Sequence, residues 1–213
     1  HLGDRECSLQ RRHQKVLEES PAPGLPPAER ARLLPLVADV IARSGYRNAG
    51  TVEMLVDADG NATFMEMNTR LQVEHPVSEQ VTGVDLVEWQ FRVAANEPLP
   101  CRQEDIASVG HAIECRINAE DPDNDFRPSP GRISVLELPD GDDIRVDTHL
   151  KAGDRVPPNY DSMVAKLIVR GDTRGAAIET MVKALAAVRI EGVTTNVALH
   201  RRIMQWKPFV EGT

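Results

Sequence analysis

The chain has 213 residues, of which 41% are apolar and 27% are charged, a composition typical of a globular protein. Its formal net charge of −8 argues against a general nucleic-acid-binding protein, and no apolar run approaches the roughly 18 residues that cross a bilayer. Cys7, Cys101 and Cys115 lack metal-ligand spacing, so we expect reduced thiols and a cytoplasmic location, or the mitochondrial matrix in a eukaryote. The first residue is His1, and we expect the chain to begin inside a larger protein.

A helix is predicted after the proline-rich turn PAPGLPPAER (Pro21–Arg30). Pro27 suits a first helical turn, where a missing N–H is tolerated. Apolar residues then recur at helical spacing at Leu33, Leu34, Val37, Ala38 and Ile41. The stretch Ser44–Tyr46 ends this pattern, and Pro35 indicates either a kink or a later start.

A β-hairpin is predicted next, from the stretches GTVEMLV (Gly50–Val56) and ATFMEMN (Ala62–Asn68). The residues DADGN between them supply the aspartate, glycine and asparagine that tolerate positive φ in a tight loop.

The register of this hairpin decides which acidic side chains meet. A four-residue loop at Ala58–Asn61 pairs Asp57 with Ala62 and sets Glu53 opposite Glu66, with Cβ atoms about 5 Å apart. Like charges at this distance favour a divalent cation between them. A slip of one residue would remove this argument.

Polar and apolar residues alternate in the stretch FMEMNTRLQVEHP, which runs from Phe64 to Pro76. The polar set is Glu66, Asn68, Arg70, Gln72 and Glu74, and the other set is Met65, Met67, Thr69, Leu71 and Val73. The alternation predicts a strand whose apolar face joins the core and whose other face carries a row of polar groups.

The polar row has two interpretations. Glu53, Glu66 and Asn68 offer the hard oxygen ligands that Mg²⁺ takes, and Arg70 suits a planar oxyanion with Glu74 as a general base. The alternative is a solvated hairpin face that carries a surface ladder of ion pairs.

A cluster of cations lies in QRRHQK (Gln10–Lys15), which we interpret as a short loop. Phosphate binding and a solvated basic loop explain it about equally well. The chain contains no glycine-rich phosphate loop of the Walker or dinucleotide type.

A second helix is predicted from Val84 to Asn96, and the stretch NEPLPCRQED after it has the composition of a linker. We therefore divide the chain into a domain of residues 1–98 and a domain of residues 99–213.

The second domain begins with the alternating strand GHAIECRIN, in which His111 is expected to be a satisfied core histidine. Further strands are predicted near RISVLEL, DIRVDTHL and MVAKLIVRG. Two helices close the chain, one after Asp172 or Thr173 and one after Thr195 or Asn196.

Five stretches resemble the C-terminal half of biotin carboxylase: CSLQRRHQKVLEESPAP, EMNTRLQVEHPVSEQVTGVDLVEWQ, GHAIECRINAEDP, PSPGRI and NYDSMVAKLI. Biotin carboxylase is the ATP-grasp component of acetyl-, propionyl- and methylcrotonyl-CoA carboxylases and of pyruvate carboxylase. The resemblance implies an α+β fold, with the C-terminal part of an ATP-grasp domain followed by the biotin carboxylase C-terminal domain, an antiparallel sheet with flanking helices.

The resemblance also implies roles for individual residues. It implies ATP contacts at Gln10, His13, Glu53, Leu55 and Glu66, and Mg²⁺ or Mn²⁺ ligands at Glu53, Glu66 and Asn68. It implies bicarbonate contacts at Lys15, Arg70, Gln72 and the backbone N–H of Val73, and catalytic roles for Lys15, Arg70, Glu74 and Arg116. Glu74 would be the general base, and Arg116 would bind the ureido oxygen of biotin.

By this resemblance the intact enzyme uses ATP and bicarbonate to carboxylate biotin on a separate carrier protein or domain. Its implied partners are that carrier, a carboxyltransferase component and a second copy in a homodimer, with neither nucleic acid nor membrane. The final acceptor of the carboxyl group is left open.

The chain also departs from the family pattern. The family's N-terminal domain, most of the ATP-grasp lid and an AMKM-type biotinylation motif have no counterpart in it, so we expect an inactive fragment with an exposed sheet edge. Two alternatives stay open: another ATP-grasp ligase, against which RLQVEHP and ECRINAEDP argue, and a non-catalytic dimerisation or docking module that includes Arg145.

Overall fold

The computed structural model describes residues 1–57 and 59–212, which form two compact units. Unit 1 comprises residues 1–6 and 20–109, and unit 2 comprises residues 7–19 and those from 110 onward. The domain division after residue 98 stays a prediction. Among the described residues, no helix combines the length and the apolarity needed to span a membrane.

Strands and helices occur in groups along the chain, and the longest run of strands extends from His111 to Gly171. The strands are β1 (Gln10–Arg11), β2 (Gln14–Lys15), β3 (Leu17–Ser20), β4 (Thr51–Val56), β5 (Ala62–Asn68), β6 (His111–Asn118), β7 (Glu120–Asp121), β8 (Arg127–Pro128), β9 (Gly131–Arg132), β10 (Val135–Glu137), β11 (Ile144–Asp147), β12 (Arg155–Val156), β13 (Met163–Gly171) and β14 (Arg189–Glu191). The helices are α1 (Pro27–Ser44), α2 (His75–Thr82), α3 (Leu86–Ala94), α4 (Arg174–Ala187), α5 (Val197–Ile203) and α6 (Lys207–Glu211), with a 3₁₀ helix at Gln103–Asp105.

The first helix of unit 1 agrees with its sequence signals. Helix α1 begins at Pro27, contains Pro35 and ends at Ser44, where Gly45 adopts a left-handed conformation with φ of 73°. Proline at the start and glycine after the end are the usual punctuation of a helix. Since α1 begins at Pro27, the interpretation of Pro35 as a late start is wrong.

The hairpin of β4 and β5 contains a β-bulge that the sequence analysis missed. Val56 lies opposite Ala62, so the predicted pairing of Asp57 with Ala62 is wrong. The register then shifts between Met54 and Glu53, and Glu53 lies opposite Glu66 as predicted. The extra residue in β5 is Met65, since Phe64 and Glu66 pair with successive residues of β4. Ala58, in the predicted loop, lies outside the described residues.

The predicted strand does not continue through RLQVEHP. Strand β5 ends at Asn68, and residues 69–74 lead into α2, which the sequence analysis missed. Pro76 in the first turn of α2 and left-handed Gly83 after its end were the available signals. The next helix, α3, was predicted correctly, and the Asp85 side chain caps it by accepting a hydrogen bond from the Glu88 N–H.

Burial differs from the predicted pattern at several residues of this segment, whereas the polar residues Glu66 and Arg70 are exposed as expected. The polar residues Gln72 and Glu74 are only 5% and 3% exposed. Met65 and Val73, predicted to face the core, are 51% and 36% exposed. The polar row is therefore partly an interior row, which requires hydrogen-bond partners for its side chains.

Unit 2 is built on a four-stranded sheet in the order β11-β13-β6-β3. Strand β13 pairs antiparallel with both β11 and β6, and Ile113, Cys115 and Ile117 of β6 are fully buried. Helix α4 covers the sheet with its buried face, which contains Ala177, Met181, Ala184 and Leu185. This arrangement confirms the predicted antiparallel sheet with flanking helices.

Strand β3 brings two adjacent carboxylates into the interior of unit 2. Glu19 accepts hydrogen bonds from Arg174 Nε at 2.6 Å and lies 2.7 Å from His111 Nε2. Burial alone would raise the pKa of Glu19, but the hydrogen bonds and charges of His111 and Arg174 outweigh it and hold that pKa below its usual value. His111 is thus a partnered core histidine, as expected from the sequence.

The glycine after β14 is predicted to be irreplaceable. Gly192 has φ of +96°, and a Cβ there would lie 2.0 Å from the carbonyl oxygen of Arg132. Gly153 has the same φ of +96°, but its Cβ would meet nothing closer than 3.7 Å, at the end of the Arg132 side chain. We expect Gly153→Ala to cost about 1–2 kcal/mol of unfolding free energy, from backbone strain alone. Gly192→Ala should cost roughly 4 kcal/mol or more, because backbone atoms must also move.

Urea unfolding followed by circular dichroism measures both costs, with Gly153→Ala as the matched control. Equal losses for the two variants would show that the contact with Arg132 does not constrain this turn.

Candidate active site

The two glutamates of the hairpin meet at one amide group. Asn68 Nδ2 donates to Glu53 Oε1 at 3.1 Å and to Glu66 Oε1 at 3.0 Å. Gln72 Nε2 donates to the same oxygen of Glu53 at 2.7 Å. Both carboxylates therefore face the same side of the hairpin, where the partial positive charge of the amide group offsets their repulsion.

The donor set at this point is two carboxylates and one amide. Among residues 1–57 and 59–212, no group of three or more His, Cys, Asp or Glu side chains is placed to hold a metal ion. Two carboxylates with an amide oxygen nevertheless match the partial ligand set that Mg²⁺ takes when substrate phosphates and water complete its shell. Asn68 Oδ1 accepts a hydrogen bond of 3.3 Å from Arg70 Nη2, which joins Arg70 to the same network.

Arg5 is a residue of this network that the sequence analysis missed. Its guanidinium donates to Gln72 Oε1 at 2.6 Å, to Thr51 Oγ1 at 3.0 Å and to Ser78 Oγ at 3.1 Å. It thereby ties the buried Gln72 to both β4 and α2. Nothing in the spacing of GDRECS indicates partners so far along the chain, so no sequence signal could have found it.

The segment after Gln72 turns into α2. Glu74 precedes the first residue of this helix, and His75 Nδ1 lies 2.8 Å from the carbonyl oxygen of Gln72. The exposed Val73 lies between the two buried residues Gln72 and Glu74. A tight turn rather than a strand therefore carries the predicted bicarbonate contacts and the predicted base.

The basic stretch QRRHQK is a hairpin rather than a loop. Gln10 lies opposite Lys15, and the turn residues Arg12 and His13 have φ of 47° and 67°. Positive φ at both central residues is the geometry of a two-residue turn that matches the strand twist. Arg12 and His13 are exposed, whereas Lys15 is half-buried.

The arginines of this hairpin are braced by a second turn. Arg12 Nη2 lies 2.8 Å from Asp125 Oδ2, and the Arg11 guanidinium lies 4.1 Å from the centre of the Phe126 ring. Arg11 also donates to the carbonyl oxygen of Asp125 at 2.7 Å. These contacts tie both arginines to the turn at Asp125 and Phe126.

Arg116 is held at both its side chain and its backbone. Its Nε and Nη2 lie 2.6 and 2.5 Å from Oε1 of Glu18, which is fully buried. Its carbonyl oxygen accepts hydrogen bonds from Asn196 Nδ2 and His200 Nε2, each at 2.9 Å. Its N–H donates to the carbonyl oxygen of Val16 at 3.1 Å.

His200 is a neutral donor in this arrangement. It is fully buried, and burial lowers its pKa to about 4. Because Nε2 faces a carbonyl oxygen, Nε2 carries the proton of the neutral ring. Within the described part of the chain, the buried Nδ1 has no hydrogen-bond partner.

The predicted site residues thus fall into two groups. Unit 1 contains Glu53, Leu55, Glu66, Asn68, Arg70, Gln72, Val73 and Glu74, and unit 2 contains Gln10, His13, Lys15 and Arg116. Hydrogen bonds join Glu53, Glu66, Asn68, Arg70 and Gln72. Leu55, the predicted adenine contact, is exposed on β4. The roles of all these residues stay predictions.

Two family models cover most of the chain. Residues 1–102 match the carbamoyl-phosphate synthase L chain, ATP binding domain, and residues 114–213 match the biotin carboxylase C-terminal domain.

Curated relatives match the chain over its full length. Biotin carboxylases from Pseudomonas aeruginosa and Haemophilus influenzae are 50% and 51% identical to it over 212 residues. A pyruvate carboxylase subunit from Methanothermobacter thermautotrophicus is 50% identical over the same length. The match covers 47% of each biotin carboxylase and 43% of the pyruvate carboxylase polypeptide, so the chain spans about half the length of these relatives.

Solved structures show the same fold. The biotin carboxylase domain of Hydrogenobacter thermophilus 2-oxoglutarate carboxylase, a dimer in complex with MgADP, ADP and bicarbonate, has a TM-score of 0.98 at 47% identity. The match covers 100% of this chain and 47% of that one. Kluyveromyces lactis urea carboxylase has a TM-score of 0.93 at 44% identity, and the match covers 99% of this chain and 18% of the enzyme.

The buried neutral His200 is predicted to make the protein sensitive to acid. Its pKa falls from 6.5 in the unfolded chain to about 4 in the folded one, so between these values the unfolded state binds more protons. The stabilisation is complete above pH 6.5 and is lost as the pH falls towards 4. We expect His200→Gln, which keeps an N–H donor, to remove about 3 kcal/mol of this pH-dependent loss.

Urea unfolding at a series of pH values between 4 and 8 measures this difference. The exposed His149 offers the control, since His149→Gln makes the same substitution at a histidine outside the core. An unchanged pH dependence in His200→Gln would mean that His200 takes up its proton equally in the folded and unfolded states.

Proposed function

Because the chain belongs to the biotin carboxylase family, we propose that it contributes the metal-, bicarbonate- and biotin-binding residues of an ATP-dependent biotin carboxylase. The observation that carries this proposal is the meeting of Glu53 and Glu66 at Asn68, in one network with Arg70 and Gln72. A solvated hairpin face would not need to bury Gln72 or to fix it from both ends.

In this proposal, Glu53, Glu66 and the amide oxygen of Asn68 would hold Mg²⁺ or Mn²⁺ together with ATP phosphates. The bound metal supplies positive charge that offsets the negative charge developing on the transferred phosphoryl group. Asn68 currently turns Nδ2 towards both carboxylates, so rotation of its amide group would present Oδ1 in the same place. The MgADP in the 2-oxoglutarate carboxylase domain supports this assignment.

The turn after β5 would bind bicarbonate. Arg70, Gln72 and the backbone N–H of Val73 would contact it, and Glu74 would take its proton. A bicarbonate oxygen would then attack the γ-phosphorus of ATP and displace ADP, while Lys15 would offset the charge that develops. The bicarbonate bound in the 2-oxoglutarate carboxylase domain supports this part of the proposal.

The second half of the reaction would take place at Arg116. Carboxyphosphate, the product of the first half, would break down into CO₂ and phosphate, and the phosphate would take the N1 proton of biotin. N1 would attack CO₂ while the Arg116 guanidinium stabilises the negative charge on the ureido oxygen. His13 and Gln10 would contact the nucleotide from the basic hairpin.

We propose the same partners that the resemblance implies: a biotin carrier protein or domain, a carboxyltransferase component and a second copy of the enzyme. The final acceptor is not assigned, because the relatives include pyruvate, 2-oxoglutarate and urea carboxylases. A different ATP-grasp ligase is disfavoured, since residues 114–213 match the biotin carboxylase C-terminal domain.

Arg116→Ala in the complete gene product tests the proposal. Loss of a fixed guanidinium at developing negative charge should lower kcat for biotin-dependent ATP hydrolysis by about 100-fold or more. The KM for ATP should change little, because Arg116 does not contact ATP in the proposed mechanism. Steady-state kinetics with free biotin as the acceptor measures both constants.

Arg189→Ala provides a control, since this exposed arginine pairs only with surface glutamates in the described structure, Glu137 and Glu191. A wild-type kcat in Arg116→Ala would remove Arg116 from the reaction and with it the biotin-binding part of the proposal.

A further inference from the structure

We propose that Glu18, Asn196 and His200 are positioning residues that fix the Arg116 guanidinium where it meets the ureido group of biotin. This inference rests on the proposed function, in which Arg116 is the biotin-binding arginine. None of the three residues contacts a substrate in that mechanism. Glu18 contacts the side chain of Arg116, and Asn196 and His200 contact its backbone carbonyl oxygen.

Glu18 fixes the orientation of the guanidinium plane. A single carboxylate oxygen, Oε1, lies 2.6 Å from Nε and 2.5 Å from Nη2 of Arg116. Glu18 is fully buried on β3, so it cannot follow the arginine to another position. A charge-assisted pair in a low-dielectric interior holds its geometry more tightly than a solvated one.

Asn196 and His200 fix the backbone of Arg116, from which its side chain extends. Asn196 lies just before α5 and His200 lies four positions later, so their side chains share one side of the helix start. Both donate to the carbonyl oxygen of Arg116. Asn196 also accepts a hydrogen bond of 2.8 Å from the N–H of Asn118.

These contacts tie α5 to two residues of β6, Arg116 and Asn118. Asn196 bonds to Asn118 in both directions, because its own N–H donates to the Asn118 carbonyl oxygen at 3.1 Å. The strand therefore cannot shift along the sheet without breaking contacts with α5. Catalysis by an oriented charge is sensitive to such shifts, since a displacement of about 1 Å can cost on the order of 100-fold in rate.

His200 suits this role because it is a permanent donor. Its ring is fully buried and neutral with the proton on Nε2, so it offers the Arg116 carbonyl a hydrogen bond without a second positive charge near the guanidinium. Arginine or lysine at this position would donate as well but would add a buried charge without a partner.

A double-mutant cycle in the complete gene product tests the inference. We expect Glu18→Gln and His200→Leu each to lower kcat/KM for biotin by about tenfold or more while leaving the KM for ATP within about twofold of wild type. His200→Gln keeps the donor and should restore kcat/KM to within about twofold of wild type. In an Arg116→Ala background, Glu18→Gln and His200→Leu should have no further effect, because they act only through Arg116.

Glu19→Gln is the matched control. Glu19 is the neighbouring buried glutamate of β3, but its partners are His111 and Arg174 rather than Arg116. Its replacement should lower the unfolding midpoint and leave kcat/KM for biotin unchanged. Thermal unfolding of every variant identifies those that fail to fold, and the pair His200→Leu and His200→Gln keeps the test decisive if Glu18→Gln is among them.

Two results would overturn the inference while the proposed function stands: wild-type kcat/KM in both Glu18→Gln and His200→Leu, or equal losses from these substitutions with and without Arg116. If Arg116→Ala itself retains wild-type activity, the role of Arg116 in the proposed function fails first. The two failures are therefore distinguishable from the same set of kinetic measurements.

Discussion

The fold of unit 2 depends on burying two consecutive carboxylates, Glu18 and Glu19, in a strand that has no access to water. Side chains of adjacent residues in a strand point to opposite faces, so each glutamate needs its own cation. Arg116 serves Glu18, and Arg174 with His111 serves Glu19. A shift of β3 by one residue would move one glutamate into the position of the other and leave the second buried carboxylate without its cation, at a cost of several kcal/mol. The ion pairs therefore specify the register, and they fix a candidate catalytic arginine in the process.

Unit 1 uses the same principle with neutral partners. Glu53 is approached by the amide groups of Asn68 and Gln72, and Gln72 is held in turn by Arg5. The amide group of Gln72 thus links the Arg5 guanidinium to the Glu53 carboxylate through two hydrogen bonds. Such a network of amide donors stabilises two neighbouring carboxylates without a covalent or ionic bond between them. In both units, buried polar groups carry the architecture and the proposed chemistry together.

Local signals in the sequence were sufficient to predict the helices whose ends they mark. The proline and glycine of α1, the Asp85 cap of α3 and the Thr173 cap of α4 set boundaries that were predicted to within a few residues. Non-local contacts decided the rest. Alternation suggested a strand through Glu74, but the partners of Gln72 made a buried turn more favourable, and Arg5 had no local signature. The opposition of Glu53 and Glu66 was predicted from a loop register that is wrong by one residue, and the bulge at Met65 compensates. The residue pattern suggested a cation between them, but it left a solvated hairpin face as an alternative, and only the resemblance favoured the metal site.

That bulge gives the hairpin a tolerance to changes in length. Because Met65 is the unpaired residue and its side chain is largely in solvent, no core contact depends on it. A hairpin tip one residue shorter could be accommodated by closing the bulge, and the pairing of Glu53 with Glu66 would stay the same. A deletion of one residue at the tip would then leave the two carboxylates opposite each other. The bulge therefore separates the length of the loop from the register of the two carboxylates. A loop shorter by one residue is compatible with the same position of Glu53 opposite Glu66.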